Sequence, residues 1–293
     1  MISKFYKFLL IFSRFFGSWF LAFFTAIITT GFFLFGRKRI NLCKDFYRVL
    51  FPGKNWFFYE ICAWKQYHNF SKVFQDRFFM YSNEDLSYTS EGWEYLEEAA
   101  KKKQGGIILM SHMGNWEVAA LFFKKRGLDL MLYMGTKQKE QIEGLQKKGL
   151  IQSGIKVVAI DKDEGSHFNL LEGVKFSKNG GLVSMTADRI WSKSQKAVEV
   201  EFLGHSIFLP ESPHLFALLS SSPIFIFFVF KTGKKKYHFS ISEPYYIEKK
   251  SRSERKELVH RSVQNYANQL ESMLKKHPYE WYHFEKFLGE KTK

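Results

Sequence analysis

The chain has 293 residues, of which 45% are hydrophobic and two are cysteines, and its formal net charge is +15 at pH 7. This length suffices for one sizeable α/β domain with an N-terminal appendage, and two thiols exclude the disulfide framework of a small secreted domain. The positive charge favours membranes, phosphorylated glycolipids or an acidic carrier protein as partners; nucleic acid is disfavoured, because the aromatic residues mostly lie in apolar runs.

The first predicted element is an apolar helix near the N-terminus. Residues 15–35 form a run of 21 residues without a charge, with basic residues before and after it. About 20 apolar residues span a hydrocarbon core of roughly 30 Å, so we expect residues 1–40 to be a membrane anchor. The alternatives are an interfacial or re-entrant helix and a buried core helix. Basic residues at both ends leave the orientation open.

Two further segments follow the anchor. Residues 41–100 are rich in aromatics and weak in turn signals, which predicts helices that pack beside a sheet. Residues 101–293 are predicted to form the α/β core. Its strand candidates are Ile107–Met110, Leu130–Tyr133, Lys156–Ile160, Leu182–Thr186, Val198–Phe202, Ile224–Phe230 and Tyr237–Ser242. Its helix candidates are Phe168–Ser177, Pro213–Ser220 and Arg255–Lys276. Alternating strands and helices favour a mixed or largely parallel sheet covered by helices, with the site at the C-terminal ends of strands.

The most informative motif is Ser-His-Met-Gly-Asn-Trp-Glu at residues 111–117. Residues five apart on one continuous helix point about 140° away from each other, so His112 and Glu117 converge only if His112 precedes the helix. We therefore place His112 in the strand-to-helix turn as a general base, with Glu117 fixing its tautomer from the early turns of the helix. The alternative is a structural histidine followed by a capping glutamate.

Four other residues are candidates for substrate binding. Asp188 and Arg189 follow a strand candidate and are expected at the same sheet edge as the motif. Arg189 would bind a phosphate and Asp188 would orient it, and the alternative is a surface ion pair. Asn115 is a candidate ligand contact or helix cap, and Trp116 is a candidate channel wall or packing residue.

A base with an orienting carboxylate suits transfer of an acyl group from a thioester to a hydroxyl. The thioester is already activated, so the alcohol only has to lose its proton as it attacks, and no protein nucleophile is needed. The chain has no Gly-x-Ser-x-Gly elbow, Walker loop or Gly-x-Gly-x-x-Gly fingerprint, and no Cys/His cluster with metal-ligand spacing. We expect neither a metal nor a cofactor.

The motif resembles the His-x-x-x-x-Glu motif of the bacterial lipid A biosynthesis (late lauroyl/myristoyl) acyltransferases, within the lysophospholipid acyltransferase-like superfamily. The resemblance covers nearly the whole chain and extends to Thr186–Arg189, Val198–Gly204, Leu209–Pro213, Ser222–Phe228 and Pro278–Tyr282. The chain departs from the pattern in two places. Ser212 stands where glycerolipid relatives have the glycine of a Pro-Glu-Gly turn, and residues 133–139 carry lysines where family members often carry arginines.

The resemblance implies a glycerolipid acyltransferase-like fold and a membrane-bound O-acyltransferase of the bacterial inner membrane, with its catalytic domain facing the cytosol. The implied donor is acyl carrier protein or acyl-CoA, and the implied acceptor is a hydroxyl of a lipid A precursor. Alternatives are transfer to another glycolipid, a lysophospholipid or a polyene-type lipid, or a non-catalytic, membrane-tethered lipid-binding protein. The expected site consists of His112 and Glu117 as catalytic residues and Asn115, Trp116, Asp188 and Arg189 as substrate-binding residues.

Overall fold

The computed structural model describes residues 11–12, 15–80, 86–135, 149–160, 167–190, 195–248, 251 and 253–292. Within these residues the principal helices are α1 (Ser18–Phe35), α2 (Arg37–Leu50), α3 (Trp56–Met80), α4 (Trp93–Lys101), α5 (Trp116–Lys125), α6 (His167–Lys178), α7 (Ser212–Ser220) and α8 (Arg255–Lys276). The strands are β1 (Ser87–Glu91), β2 (Gly106–Gly114), β3 (Leu130–Gly135), β4 (Lys156–Ile160), β5 (Leu182–Thr186), β6 (Ala197–Phe202), β7 (His205–Pro210), β8 (Ile224–Gly233) and β9 (Lys236–Ile241).

The core of the protein is a seven-stranded mixed sheet with the strand order β1-β9-β8-β2-β5-β3-β4. Every neighbouring pair is parallel except β8 and β9, which form an antiparallel hairpin. Strands β6 and β7 form a separate antiparallel pair. The prediction of an α/β fold with a mostly parallel, mixed sheet covered by helices is confirmed.

The central strands are apolar on both faces because helices cover both. Along β2, Ile107 and Leu109 join a hydrophobic cluster that includes α8, whereas Ile108 and Met110 join a second cluster that includes α4 and α5. All four side chains are nearly inaccessible to solvent. Burying one such side chain stabilises a fold by about 1.5–3 kcal/mol, so continuous apolar runs are the expected sequence of a strand in this layer.

The predicted elements agree closely with the structure where the apolar pattern is strong. Strands β4 and β5 and helix α8 have the predicted ends. Two strands were not predicted, β7 and β1, and β1 lies in the segment that was expected to be helical. The five residues of β1 are polar and mostly exposed, so they carry no apolar alternation. They are extended because they form a parallel ladder with β9. The pairing runs from Ser87 opposite Lys236 to Glu91 opposite Ser240.

The N-terminal apolar run forms helix α1, which is shorter than the predicted segment. It begins after Gly17, whose φ is +89°, and it ends at Gly36. Among the described residues no single helix is both long and apolar enough to cross a membrane. Helices α1 and α2 together reach the length and composition of a span, but they are bent by 87° at the break. A Cβ at Gly36 would lie 2.5 Å from the carbonyl oxygen of Phe32, so the bend depends on this glycine. The anchor predicted for residues 1–40 is therefore not found as one spanning helix.

We predict that a buried histidine makes the fold sensitive to acid. His214 of α7 is fully buried, its Nδ1 lies 2.7 Å from Ser262 Oγ, and burial lowers its pKa to about 3. Because the unfolded histidine has its ordinary pKa of about 6.5, the unfolded state binds the extra proton. Stability is therefore complete above pH 6.5 and falls towards pH 3 by about 1.4 kcal/mol per pH unit.

The measurement is the free energy of unfolding at pH 6.5 and pH 5, for wild type and for His214→Asn, which keeps a polar partner for Ser262. We expect the loss between these pH values to be smaller in the variant by about 2 kcal/mol. Equal losses in the two proteins would show that His214 does not cause the acid sensitivity.

Candidate active site

The site is built where two adjacent parallel strands end together. Strands β2 and β5 pair in register up to Met110 and Thr186. His112 and Asp188 each lie two residues beyond that last pair, so the sheet brings them to the same edge. The ends of parallel strands are where open α/β sheets place their ligand sites.

His112 lies within β2, at an irregular end of the strand, and not in a turn after it as predicted. Met110 pairs with Phe227 of β8 and Gly114 pairs with Val229, so the residues between them on β2 face a single residue of β8. Such a bulge re-aims side chains at the end of a strand. The helix α5 begins at Trp116, so the prediction that His112 precedes the helix is confirmed.

The imidazole of His112 is held by the carboxylate of Asp188. The Nδ1 atom of His112 lies 2.8 Å from Asp188 Oδ1, and the backbone N–H of His112 donates to Asp188 Oδ2 at 2.7 Å. Asp188 is fully buried, whereas 19% of the His112 side chain is exposed. The two contacts fix both the ring and the backbone of His112 against one carboxylate.

The electrostatics of this pair determine the tautomer of His112. Burial on its own raises the pKa of Asp188, but the charge of His112 and the hydrogen bonds from His112 and Trp281 outweigh it, so the pKa lies well below its ordinary value. The carboxylate is therefore ionised at neutral pH and can only accept hydrogen bonds. It follows that Nδ1 of His112 carries a proton and that Nε2 is the nitrogen able to act as a base.

A segment near the C-terminus completes the site. Trp281, which is buried, donates from Nε1 to Asp188 Oδ2 at 2.9 Å. The backbone N–H of Tyr282 donates to the carbonyl oxygen of His112 at 2.8 Å, and the backbone N–H of Gly114 donates to Glu280 at 2.8 Å. The segment thus pairs with the irregular end of β2 and gives Asp188 its third hydrogen bond.

Gly114 is the residue that allows these elements to approach so closely. Its φ is +71°, and a Cβ at this position would lie 1.6 Å from the carbonyl oxygen of Val229. That carbonyl accepts the backbone N–H of Asn115 at 3.1 Å. Any larger residue would have to push β8 away, so the glycine of the motif is required by geometry.

Comparison with known proteins places the chain in a family. A family model described as bacterial lipid A biosynthesis acyltransferase matches residues 70–288, which is more than two thirds of the chain. The chain belongs to this family. No curated protein matches it. The matched range contains His112, Asp188 and Trp281, so the geometry described above lies within the part of the chain that the family model matches.

The other predicted site residues occupy different surroundings in this acyltransferase. The sequence predicts Glu117 as the carboxylate that orients His112, but the Nδ1 contact is made by Asp188. Glu117 is buried in the first turn of α5, where the helix dipole favours an acidic side chain. Asp188 is completely buried against His112 and Trp281, so the alternative of a surface ion pair with Arg189 is wrong. That Asp188 orients Arg189 stays a prediction.

The neighbours of His112 in the motif have separate roles in the structure. Asn115 occupies the N-cap position of α5 but makes no side-chain cap hydrogen bond; its Nδ2 instead donates to Asp76 at 3.1 Å. Trp116 packs against the cluster formed by α4 and α5. Arg189 is partly exposed and follows Asp188 directly in the chain, beside the His112–Asp188 pair, which we call the dyad. A further histidine, His283, has a pKa lowered to about 4, mainly by burial.

Three residues of the site escape prediction from the sequence alone. Trp281 lies in the segment Pro278–Tyr282, which resembles the family pattern, but nothing in the sequence around it indicates a contact with Asp188. Asp76 and Lys231, which form a half-buried ion pair beside Asn115, are 155 residues apart in the chain.

We predict that Trp281 stabilises the buried carboxylate. Trp281→Phe keeps most of the ring packing but removes the Nε1–H donor, so Asp188 loses one of its three hydrogen bonds. Loss of a hydrogen bond to a buried charged group costs about 1.5–3 kcal/mol, and the free energy of unfolding should fall by that amount. Trp56→Phe, at a position that is 71% exposed, is the control and should leave stability unchanged. An equally small effect in both variants would contradict the assignment.

Proposed function

We propose that the protein is an O-acyltransferase in which His112 is the general base and Asp188 is the carboxylate that orients it. The observation that carries the proposal is the His112–Asp188 hydrogen bond at the strand ends, in a chain of the lipid A biosynthesis acyltransferase family. Acyl transfer onto a lipid A precursor is the reaction that the family suggests. Acyl carrier protein or acyl-CoA is the proposed donor.

The proposed reaction needs two proton transfers, one to His112 from the acceptor hydroxyl and one from His112 to the leaving thiolate. Nε2 of His112 removes the proton of an acceptor hydroxyl while the oxygen attacks the thioester carbonyl carbon. The tetrahedral intermediate collapses, the carbon–sulfur bond breaks, and the thiolate leaves with the proton from the imidazolium. The ionised Asp188 stabilises the positive charge on the ring during both steps. The products are an ester and a free thiol.

Three residues near the dyad are given roles according to their positions in the structure. Arg189 is partly exposed next to Asp188, where a guanidinium suits the phosphate of the pantetheine arm that acyl carrier protein and CoA share. Glu117 is proposed as a positioning residue, because its carboxylate is buried one helical turn from the end of β2. Trp116 is proposed as a wall on the acyl side of the site.

The proposed location is the cytosolic face of the bacterial inner membrane, with the protein docked through its N-terminal helices. Helix α1 exposes large apolar side chains along its length, and α3 adds more at its start. The exposed residues are Trp19, Phe23, Ile27, Phe32, Leu34, Phe35, Trp56 and Phe57. Contiguous exposed apolar surface of this kind marks an interaction site, and an apolar helix face next to a basic protein surface suits an anionic bilayer.

We predict that both members of the dyad are needed for turnover. His112→Ala removes the base and Asp188→Asn lets the ring adopt the wrong tautomer, so each should lower acyl transfer by about 10²–10⁴-fold. The measurement is mass spectrometry of lipid extracts from cells expressing each protein at equal levels, where the wild type and the control should yield a lipid one acyl chain heavier and the two dyad variants should not. His260→Ala, on the exposed face of α8, is the matched control. Wild-type product in the His112→Ala strain would refute the mechanism.

Glu117→Gln separates a positioning role from an orienting one. If Asp188 orients His112, Glu117→Gln keeps the pH profile of the wild type and loses less activity than Asp188→Asn. A loss as large as that of Asp188→Asn, with a displaced pH profile, would assign the orienting role to Glu117 instead.

We predict that helix α1 contributes directly to membrane binding. Replacing two exposed residues on the same side of the helix, Phe23→Ser with Ile27→Ser, removes apolar area that would otherwise enter the bilayer, so partition into vesicles should fall at least about tenfold. The assay is co-sedimentation with phosphatidylethanolamine/phosphatidylglycerol vesicles. Phe208→Ser with Leu219→Ser changes equally exposed positions elsewhere and should have no effect. Similar losses in both double variants would exclude α1 as the docking face.

A further inference from the structure

A cavity of about 630 Å³ lies beside the dyad and has no role in the proton transfers described above. Its walls come from α1, α3, the junction of β2 and α5, the turn between β8 and β9, and the segment that carries Trp281. The side towards α1 is apolar, with Trp19 and Ala22, and Val73 of α3 continues it. The opposite side is polar. A cavity of this size holds a ligand of the dimensions of a lipid headgroup.

The polar side of the cavity is positively charged. The described residues that line it include three lysines, Lys72, Lys231 and Lys234, and two carboxylates. One carboxylate, Asp76, is buried and paired with Lys231. The other, Glu280, lies 3.4 Å from Nδ1 of His277. Lys72 and Lys234 are exposed at the rim, so the cavity presents ammonium groups to an arriving ligand and suits an anion.

A buried acceptor atom also points to a ligand. Asn115 lines the cavity and is 4% exposed, and its Oδ1 has no hydrogen-bond partner among the described residues. The amide orientation is set by Asp76, because only the Nδ2 end can donate to that carboxylate. A buried oxygen without a donor costs free energy, and a ligand hydroxyl or amide N–H would supply one.

The cavity is close enough to His112 to hold the same substrate. Gly114 and Asn115, which line it, are two and three residues beyond His112, or about 7–10 Å along an extended chain. Tyr282, whose backbone N–H donates to the carbonyl oxygen of His112, lines it too. A headgroup in the cavity would therefore lie within one short acyl or sugar segment of the base.

We propose that this cavity binds the phosphate-bearing headgroup of the acceptor lipid. Lys72 and Lys234 contact the phosphate, and Asn115 Oδ1 accepts a hydrogen bond from a hydroxyl or amide N–H of the headgroup. The apolar wall on α1 receives the first part of the lipid chains. The proposal rests on the proposed function, since it assigns the acceptor side of the same reaction.

The kinetic test uses a phosphorylated lipid A precursor and the same precursor after chemical dephosphorylation. Lys72→Gln with Lys234→Gln should raise KM for the phosphorylated acceptor about tenfold, with kcat unchanged because neither lysine touches the reacting atoms. KM for the dephosphorylated acceptor should not change. Lys101→Gln with Lys256→Gln, at exposed positions on α4 and α8, removes the same charge elsewhere and should behave as wild type. Equal effects on both acceptors would overturn the proposal.

A binding test separates this proposal from the proposed function. The phosphorylated precursor is titrated in detergent into the His112→Ala protein, with and without the two rim substitutions, and binding is followed by calorimetry. Binding that depends on the two lysines supports the cavity proposal, whether or not acyl transfer is observed. Absence of acyl transfer in the wild type would contradict only the proposed function. Equal rates of acyl transfer to the phosphorylated and the dephosphorylated precursor would contradict only the cavity proposal. Displacement by an equal concentration of inorganic phosphate would show a free-phosphate site and also overturn the proposal.

Discussion

The buried carboxylate of Asp188 is the interaction on which the site depends. A fully buried charge is costly unless donors surround it, and Asp188 has them from the backbone and ring of His112 and from the indole of Trp281. These donors come from the end of β2 and from a segment near the C-terminus. The same three hydrogen bonds that stabilise the charge therefore fix the catalytic ring, and the fold cannot lose one without disturbing the other.

The sheet and the N-terminal helices support that arrangement from opposite sides. Parallel pairing in register takes β2 and β5 to the same edge, and the glycine at position 114 lets β8 and the C-terminal segment close on the end of β2. Helices α2 and α3 then hold the C-terminal segment: Tyr47 donates to the carbonyl oxygen of Pro278 at 3.0 Å, and Gln66 donates to that of Trp281 at 2.6 Å. Helix α3, which exposes Trp56 and Phe57 at its start, thus also supports the segment that holds Asp188.

This arrangement suggests how one surface serves a lipid substrate. The apolar side of α1, the basic cavity and the partly exposed imidazole are contributed by neighbouring elements, so a lipid that leaves a bilayer beside α1 would meet an apolar wall, then lysines, then the base. The buried Asp76–Lys231 pair anchors this side of the cavity, because a buried ion pair that loses one partner leaves an uncompensated charge.

The apolar strands of the central sheet, the helix α8 and the place of His112 before α5 could be predicted from the sequence, because apolar periodicity and short motifs are local properties. Membership of the acyltransferase family was likewise readable from residues 111–117 and the later blocks. The contact between His112 and Asp188 was not predicted, because Asp188 is near His112 only through strand pairing. Trp281, the Asn115–Asp76 contact, the edge strand β1 and the bend between α1 and α2 escaped prediction for the same reason. Each depends on backbone geometry or on residues far apart in the chain, and only packing in three dimensions brings those together.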